Sequence, residues 1–299
     1  MAIPEQQLQT WCNQGATVTA QATYASVQAA LAAPTSAIRG KPFEVFLQGS
    51  YRNATNIYGD SDVDIVVRYT DTWGRDLSLL PPTQAQLYNQ AYPNATYSWE
   101  QFRGDVLASL RTYYGAANVT ESAKCLKLAA ASGRLAADVV PAITYKRFNY
   151  FLSDAVQDYV EGIRFHDRRD GREIINYPKQ HIENGQLKNG APRAGGNYKP
   201  IVRMVKNVRT YMVDHHTLPD AGAPSYFVEC LLYNVPDRLF VANRQQAMRG
   251  IVEWLRDNDG TLFMCQNGVT LLFGPTPEQW NIGVANAFVG ALIDLWNNW

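Results

Sequence analysis

Residues 46–67 read FLQGSYRNATNIYGDSDVDIVV. An apolar run, Val45-Phe46-Leu47, stops at Gly49-Ser50; a polar loop follows, and then Asp62-Val63-Asp64-Ile65-Val66-Val67 alternates. Successive side chains of a strand point to opposite faces, so Asp62 and Asp64 share one face and Val63 and Ile65 the other. Two carboxylates aimed at one point repel each other unless a cation lies between them, and hard oxygen ligands of this kind suit Mg²⁺. The Gly49-Ser50 turn offers backbone N–H groups and a hydroxyl, which suit a phosphate. Gln48, just before it, ends the first strand. Paired aspartates, a cation and a phosphate cradle point to phosphoryl or nucleotidyl transfer.

Composition narrows the substrate. The chain has 299 residues, 46% of them hydrophobic, enough for a large core and two domains. Lys+Arg and Asp+Glu are both 27, so the formal net charge is zero. A protein that grips a long duplex carries a basic excess, so small substrates are favoured and no long nucleic acid is expected. The first residues, MAIPEQQLQTWCNQ, show no basic segment followed by an apolar run, and no stretch of 18 apolar residues occurs. Neither a signal peptide nor a membrane span is therefore expected, and a cytoplasmic location is. Cys12, Cys125, Cys230 and Cys265 are scattered without a CxxC pair, which predicts reduced, mostly buried thiols rather than a zinc knuckle.

Periodicity predicts a long helix over 5–34, ended by Pro34, and strands over 43–49 and 62–69. Residues 71–98, with Pro81-Pro82 and Pro93, read as loops with one short helix. Residues 99–114 read as a helix through Phe102, Val106, Leu107 and Leu110. Leu126–Leu128 and Arg134–Pro141 read as two strands joined around Ser132-Gly133. Asp170-Gly171 marks a hairpin between 163–165 and 173–176. Beyond Pro178 the pattern turns helical, best over 198–215, 225–234, 243–257 and 278–298. A mixed sheet followed by helices gives an α+β chain: residues 1–178 a catalytic lobe whose N-terminal helix runs behind both lobes, and 179–299 a helical lobe.

A third carboxylate completes a two-cation site, and Asp138 is the candidate. A lone Asp in a small-residue strand is disfavoured by propensity and costly if buried unpaired, so it wants a cation. It would touch only the ion on the acceptor side and could take the proton from the attacking hydroxyl. Glu44 and Asp60 are read as bystanders. The adjacent His215-His216 pair does not face one point on a helix, so no metal site is read there.

At these residues the chain resembles the polymerase-β-type nucleotidyltransferase superfamily: Gly49-Ser50, a loop with Thr55, Gly59 and Ser61, then Asp62, Asp64 and Asp138. Within it, GSYRNATNIYGDSDVDI resembles the bacterial cGAS/DncV-like nucleotidyltransferases (CD-NTases), relatives of oligoadenylate synthetase and cGAS. Two later segments agree. PSYFVECLLYNVP, residues 224–236, is similar to the helical C-terminal domain of that family, and YKPIVRMVKNVR, residues 198–209, looks like its phosphate-contacting helix.

The resemblance implies a polymerase-β-like lobe followed by a helical C-terminal lobe, with a nucleoside triphosphate between them. It implies two Mg²⁺ ions, replaceable by Mn²⁺, on Asp62, Asp64 and Asp138. Gln48, Gly49, Ser50, Lys206, Ser225 and Tyr226 would bind nucleotide. Lys206 would meet the donor triphosphate from a helix face shared with Lys199 and Arg203, Ser225 would act as both helix N-cap and phosphate contact, and Tyr226 would stack on the base. The substrates would be ATP and other NTPs such as GTP. The product would be a cyclic di- or trinucleotide, cGAMP-like, that activates a separate effector protein in anti-phage (CBASS) signalling, with accessory regulatory proteins. Linear 2′-5′ oligonucleotide synthesis, and transfer to tRNA, an antibiotic or a protein, would use the same carboxylates; the zero net charge disfavours tRNA. Loss of an aspartate would mark a nucleotide-binding module without activity, and all three are present.

Overall fold

The computed structural model describes residues 1–299 except Met1, Ala16, Gly59, Asp60, Ser61, Pro93, Asp220, Ala221 and Pro277. In chain order come α1 (Glu5–Trp11), α2 (Val18–Ala32), β1 (Phe43–Leu47), α3 (Gly49–Asn53), β2 (Asp62–Asp76), α4 (Pro82–Ala91) and α5 (Trp99–Tyr114). Strands β3 (Val119–Glu121), β4 (Leu126–Leu128), β5 (Ala136–Ser153), β6 (Val156–His166) and β7 (Glu173–Asn176) follow. Helices α6 (Pro178–Asn189), α7 (Tyr198–Asp214), α8 (Ser225–Tyr233), α9 (Arg244–Asp257) and α10 (Ile282–Asn298) complete the chain. None of the helices is long and apolar enough to cross a membrane among the described residues.

The chain divides into two compact units. The first to consider comprises Thr17–Gln48 and Ser61–Lys179 and holds the sheet, ordered β1-β2-β5-β4-β3 with β6 and β7 continuing from β5. β2 and β5 pair in parallel and the other neighbours antiparallel, so the sheet is mixed, as expected. Helices α2, α4 and α5 pack on it. Ser98 and Gln101 close a reciprocal capping box that starts α5, and Gly115, at φ 87°, ends it. The hairpin around Asp170-Gly171 forms, with Phe165 opposite Ile174.

Three expectations need correction. Residues 71–76 are strand rather than loop: β2 shifts register after Tyr69 and pairs again from Trp73, opposite Thr144. β5 likewise runs on to Ser153, because β6 folds back on it. Long pairing of this kind depends on the partner strand, which periodicity within one segment does not show. The N-terminal helix is two helices, α1 and α2, belonging to different units. Gly15 explains the break. Its N–H donates to the Asn56 carbonyl (3.1 Å), and a Cβ there would lie 2.5 Å from the Ile57 carbonyl oxygen.

The second unit comprises Met1–Ala16, Gly49–Asp60 and Gln180–Trp299. Two segments that precede residue 178 thus group with the C-terminal helices. Ile201, Val202, Val205, Val208 and Met212 form the buried stripe of α7, and Phe227, Val228, Leu231 and Leu232 of α8 join the same core.

Two glycine substitutions separate close approach from mere helix context. Gly15→Ala is expected to lower stability by about 1–3 kcal/mol, because its Cβ meets backbone rather than a movable side chain. Gly104→Ala, exposed in α5 with nothing within 4 Å, is expected to raise it by about 0.5–1 kcal/mol. Urea unfolding of both variants beside the parent checks the opposite signs.

Candidate active site

The carboxylates of the sheet unit are placed by strand register. Asp64 of β2 lies directly opposite Asp138 of β5, and Asp62 opposite Ala136. Val63, Ile65 and Val139 are fully buried and Ala137 nearly so, which leaves Asp62 exposed and Asp64 and Asp138 half-buried on the other face. The three predicted aspartates therefore share one face across two adjacent strands, about 4.8 Å apart in the pairing direction. The row continues: Lys127 of β4 lies opposite Asp138, and Thr120 of β3 opposite Lys127. A cavity of about 280 Å³ is lined by Asp62, Asp138, Lys127, Thr120 and Asn118 among others.

Cys125 adjoins this row. Burial pushes its thiol up to about 12, and the negative charge of the neighbouring Asp138 carboxylate pushes in the same direction. The thiol thus stays protonated beside Asp138. All four cysteines are buried and free, as expected. Gln48, at the end of β1, donates its N–H to the Asp64 carbonyl (2.9 Å), while its buried Oε1 has no hydrogen-bond partner among the described residues. Three carboxylates form a hard-oxygen donor set, which fits a cation such as Mg²⁺. Among the described residues, however, no three His, Cys, Asp or Glu side chains are gathered closely enough to ligate one ion. The backbone places the aspartates on a common face without drawing their oxygens to one point.

The segment after β1 belongs to the helical unit. Gly49 adopts φ 66°, a conformation glycine enters without strain, and Gly49–Asn53 forms the single helical turn α3 rather than an open Gly-Ser loop. Ala54 is left-handed at φ 55°. Glu229 of α8, only 3% exposed, accounts for this loop's shape. It accepts from Thr55 Oγ1 (2.6 Å), Asn53 Nδ2 (3.1 Å) and His181 Nε2 (3.0 Å). Burial pushes the Glu229 carboxyl up, but His181, the Lys206 charge and Thr55 outweigh it and hold the acid below its ordinary value. Lys206 Nζ donates to the Thr55 carbonyl (2.8 Å), and Arg203 Nη1 to that of Ala54 (2.5 Å).

These contacts recast the cationic face of α7. Lys206 is fully buried with its ammonium on the loop backbone, and Arg203 is spent on the carbonyls of Ala54 and Cys12. Lys199 is half-buried; burial lowers its ammonium, against the opposing charge of Glu229, and the charges of Arg52 and Arg203 lower it further. Ser225 is not the N-cap. Pro224 holds that place, and Ser225, the first helical residue, accepts from Arg209 Nη2 (3.5 Å). Tyr226 is 39% exposed, which rules out a wholly buried core role. Its ring stacks on His181 (centroids 4.9 Å) and Trp280 (5.6 Å), so a base would add to an existing stack. His215 stacks on Tyr211 and its Nδ1 lies 2.8 Å from the Tyr211 carbonyl, which explains one member of the His pair without a metal. Gly59, Asp60 and Ser61 lie outside the described residues. Sequence reasoning gives no site role to Glu229, His181, Cys125 or Lys127: it reads Cys125 only as a buried thiol and Glu229 only as part of the 224–236 segment, where it is the one acid inside an apolar helix.

Residues 183–297 match a family model described as the cGAS/DncV-like nucleotidyltransferase C-terminal helical domain. The chain is 42% identical over 301 residues to a cyclic UMP-AMP synthase of Rhodothermus marinus, covering 100% of this chain and 99% of the relative. It is 37% identical over 304 residues to the cyclic nucleotide synthase CdnE01 of Staphylococcus haemolyticus, covering 100% of both. The solved structure of the Rhodothermus marinus CdnE c-UMP-AMP synthase with Apcpp and Upnpp is similar with a TM-score of 0.89 and 41% identity, over 99% of this chain and 97% of that one.

Glu229→Ala strips the partner from His181 and from the buried loop residues Asn53 and Thr55, and leaves Lys206 beside them without the opposing charge. It is expected to cost about 3–5 kcal/mol, measured by urea unfolding at pH 7. The pH dependence follows from the sign of the shift. The folded acid lies below the ordinary value of 4.5, so its stabilisation is present above that pH and is lost as pH falls through the lower folded value. Glu229→Gln should flatten this acid limb of a melting-temperature profile.

Proposed function

The chain belongs to the bacterial cGAS/DncV-like nucleotidyltransferase (CD-NTase) family, and on that premise we propose how its own residues join nucleoside triphosphates. It is a nucleotidyltransferase that makes cyclic oligonucleotides. The observation that supports the assignment of residues is the pairing of Asp64 with Asp138, with Asp62 on the same face of β2.

In each coupling step a hydroxyl oxygen of the acceptor nucleotide attacks the α-phosphorus of the donor, the bond to the β-phosphate breaks, and pyrophosphate leaves. Asp138 takes the hydroxyl proton on its carboxylate, beside the protonated Cys125 thiol. Asp62, Asp64 and Asp138 would hold Mg²⁺, or Mn²⁺ in its place, which would neutralise triphosphate charge and acidify the acceptor hydroxyl. Gln48, Gly49 and Ser50 contact the donor phosphates, and Glu229, Lys206 and Arg203 hold the shape of the loop that carries Gly49 and Ser50. Lys206 adds its charge from behind that loop. Ser225 and Tyr226 contribute a further phosphate contact and an aromatic surface for the base. A second coupling, from the triphosphate left on the linear intermediate, closes the ring.

The product is a cyclic di- or trinucleotide built from ATP and other NTPs in the cytoplasm. It acts on a separate effector protein in anti-phage signalling, with accessory proteins as regulators. Incubation with all four radiolabelled NTPs and Mg²⁺ or Mn²⁺, then phosphatase and nuclease digestion, reads out the product. A phosphatase-resistant species is expected. Linear products alone, with phosphatase-sensitive ends, would replace cyclisation with oligonucleotide synthesis.

Asp62→Asn combined with Asp64→Asn should abolish product while leaving the fold intact, because two neutral amides cannot offset cation and triphosphate charge. Product at the parent rate from that variant would refute the carboxylate assignment. Asp138→Ala should keep NTP binding by calorimetry in the presence of Mg²⁺ but lose coupling. If it lost binding as completely as the double variant, Asp138 would not be the acceptor-side group.

A further inference from the structure

The row of side chains that begins with two acids ends with two hydrogen-bond donors. Asp64, Asp138, Lys127 and Thr120 stand opposite one another in turn across β2, β5, β4 and β3, and cross-strand partners project to the same face. Lys127 and Thr120 are exposed, and both line the cavity that Asp62 and Asp138 enter. Although it is next to Asp138, Lys127 forms no ion pair within 4 Å with a described carboxylate. Several buried or half-buried cations, by contrast, are committed: Lys206 and Arg203 to loop carbonyls, Arg68 to Glu44 and Glu161, Lys188 to Asp237 and the Val235 carbonyl. Lys127 has no such partner among the described residues.

The geometry points to a phosphate subsite for the acceptor nucleotide, formed by the Lys127 ammonium and the Thr120 hydroxyl. This rests on the nucleotidyl-transfer reading, in which Asp138 receives the acceptor hydroxyl proton. One strand spacing separates Asp138 from Lys127 and a second reaches Thr120, about 5 and 10 Å along the sheet. A nucleotide bound with its hydroxyl at Asp138 has its 5′-phosphates one ribose away, a distance that matches the span of these two donors. The cavity, about 280 Å³, is at the small end for ligand pockets and suits a ribose with its first phosphates rather than a whole triphosphate.

The choice of lysine suits the task. Ring closure requires the intermediate to withdraw its triphosphate from the acceptor position and present it as donor. An ammonium on a flexible stem holds phosphate as a point charge and releases it more readily than the fixed two-pronged grip of a guanidinium. Exposure of Lys127 and Thr120 works in the same direction, since water remains to compete for the phosphate.

One coupling can be isolated with two analogues. A 2′,3′-dideoxy-NTP donates but cannot accept, and an α,β-methylene-NTP accepts but cannot donate, so each pair yields a single linear product. Acceptors are the α,β-methylene-NTP and the corresponding unphosphorylated nucleoside, tested for each base. Lys127→Ala should lower kcat/KM for the phosphorylated acceptor on the order of ten-fold, as loss of one charged hydrogen bond does. It should leave the nucleoside acceptor and the donor KM unchanged, and Lys127→Arg should restore the phosphorylated acceptor. An equal fall with both acceptors, or no fall with either, overturns the phosphate subsite and leaves nucleotidyl transfer standing. No linear product from the parent enzyme with any pair overturns nucleotidyl transfer itself, and the subsite with it.

Discussion

The parallel register between β2 and β5 sets where the chemistry of the sheet can lie. Because side chains alternate, a slip of one residue in either strand would turn Val63 and Ile65, or Ala137 and Val139, toward the exposed face. Each buried aliphatic side chain contributes about 1.5–3 kcal/mol relative to exposure, so the apolar face holds the register strongly. The acids on the opposite face, which alone would repel, are carried into alignment by that packing. Parallel pairing also demands a long connection between the two strands, and the segment between them supplies α4, α5, β3 and β4. The same connection therefore brings Lys127 and Thr120 into line with Asp138.

The helical unit is organised around a different constraint, a carboxylate removed from water. An isolated buried Glu would cost several kcal/mol, and Glu229 persists because side chains on two other segments satisfy it. Asn53 and Thr55 come from the loop after β1, His181 from α6. The left-handed Ala54 lies between Asn53 and Thr55, its carbonyl held by Arg203. Loop shape and helix packing are thus one problem: neither the carboxylate nor the loop carbonyls could be buried here without the other.

A net charge of zero does not mean that charge is spread evenly. Lys188 and Lys206 lie fully inside, bonded to backbone carbonyls, and support structure rather than touch substrate directly. On α7, the burial of Lys206 and the use of Arg203 on the Cys12 and Ala54 carbonyls explain how the helix can carry a basic sequence stripe without presenting all of it to solvent. The cation placed to meet an incoming anion beside the acids is instead Lys127, on a three-residue strand with no basic cluster around it.

The amino-acid sequence by itself determined the elements whose signal is local. The Asp-Val-Asp-Ile alternation specifies a half-exposed strand, the spacing of Phe102, Val106, Leu107 and Leu110 a helix, Asp170-Gly171 turns a hairpin, and the apolar stripe of α7 follows its 3.6-residue period. Gly49-Ser50, the loop after it, Asp62, Asp64 and Asp138, with the segments 198–209 and 224–236, also made the family legible. What it could not supply were relations between residues far apart in the chain. Only tertiary structure placed Asp138 opposite Asp64, extended β2 and β5 by mutual pairing, broke the N-terminal helix where Gly15 meets the backbone at Asn56 and Ile57, and put the Lys206 ammonium inside on the Thr55 carbonyl. The reason is that a side chain's type states which hydrogen bonds and charges it can satisfy, whereas its partner is chosen by which segments the packed core brings within about 3 Å.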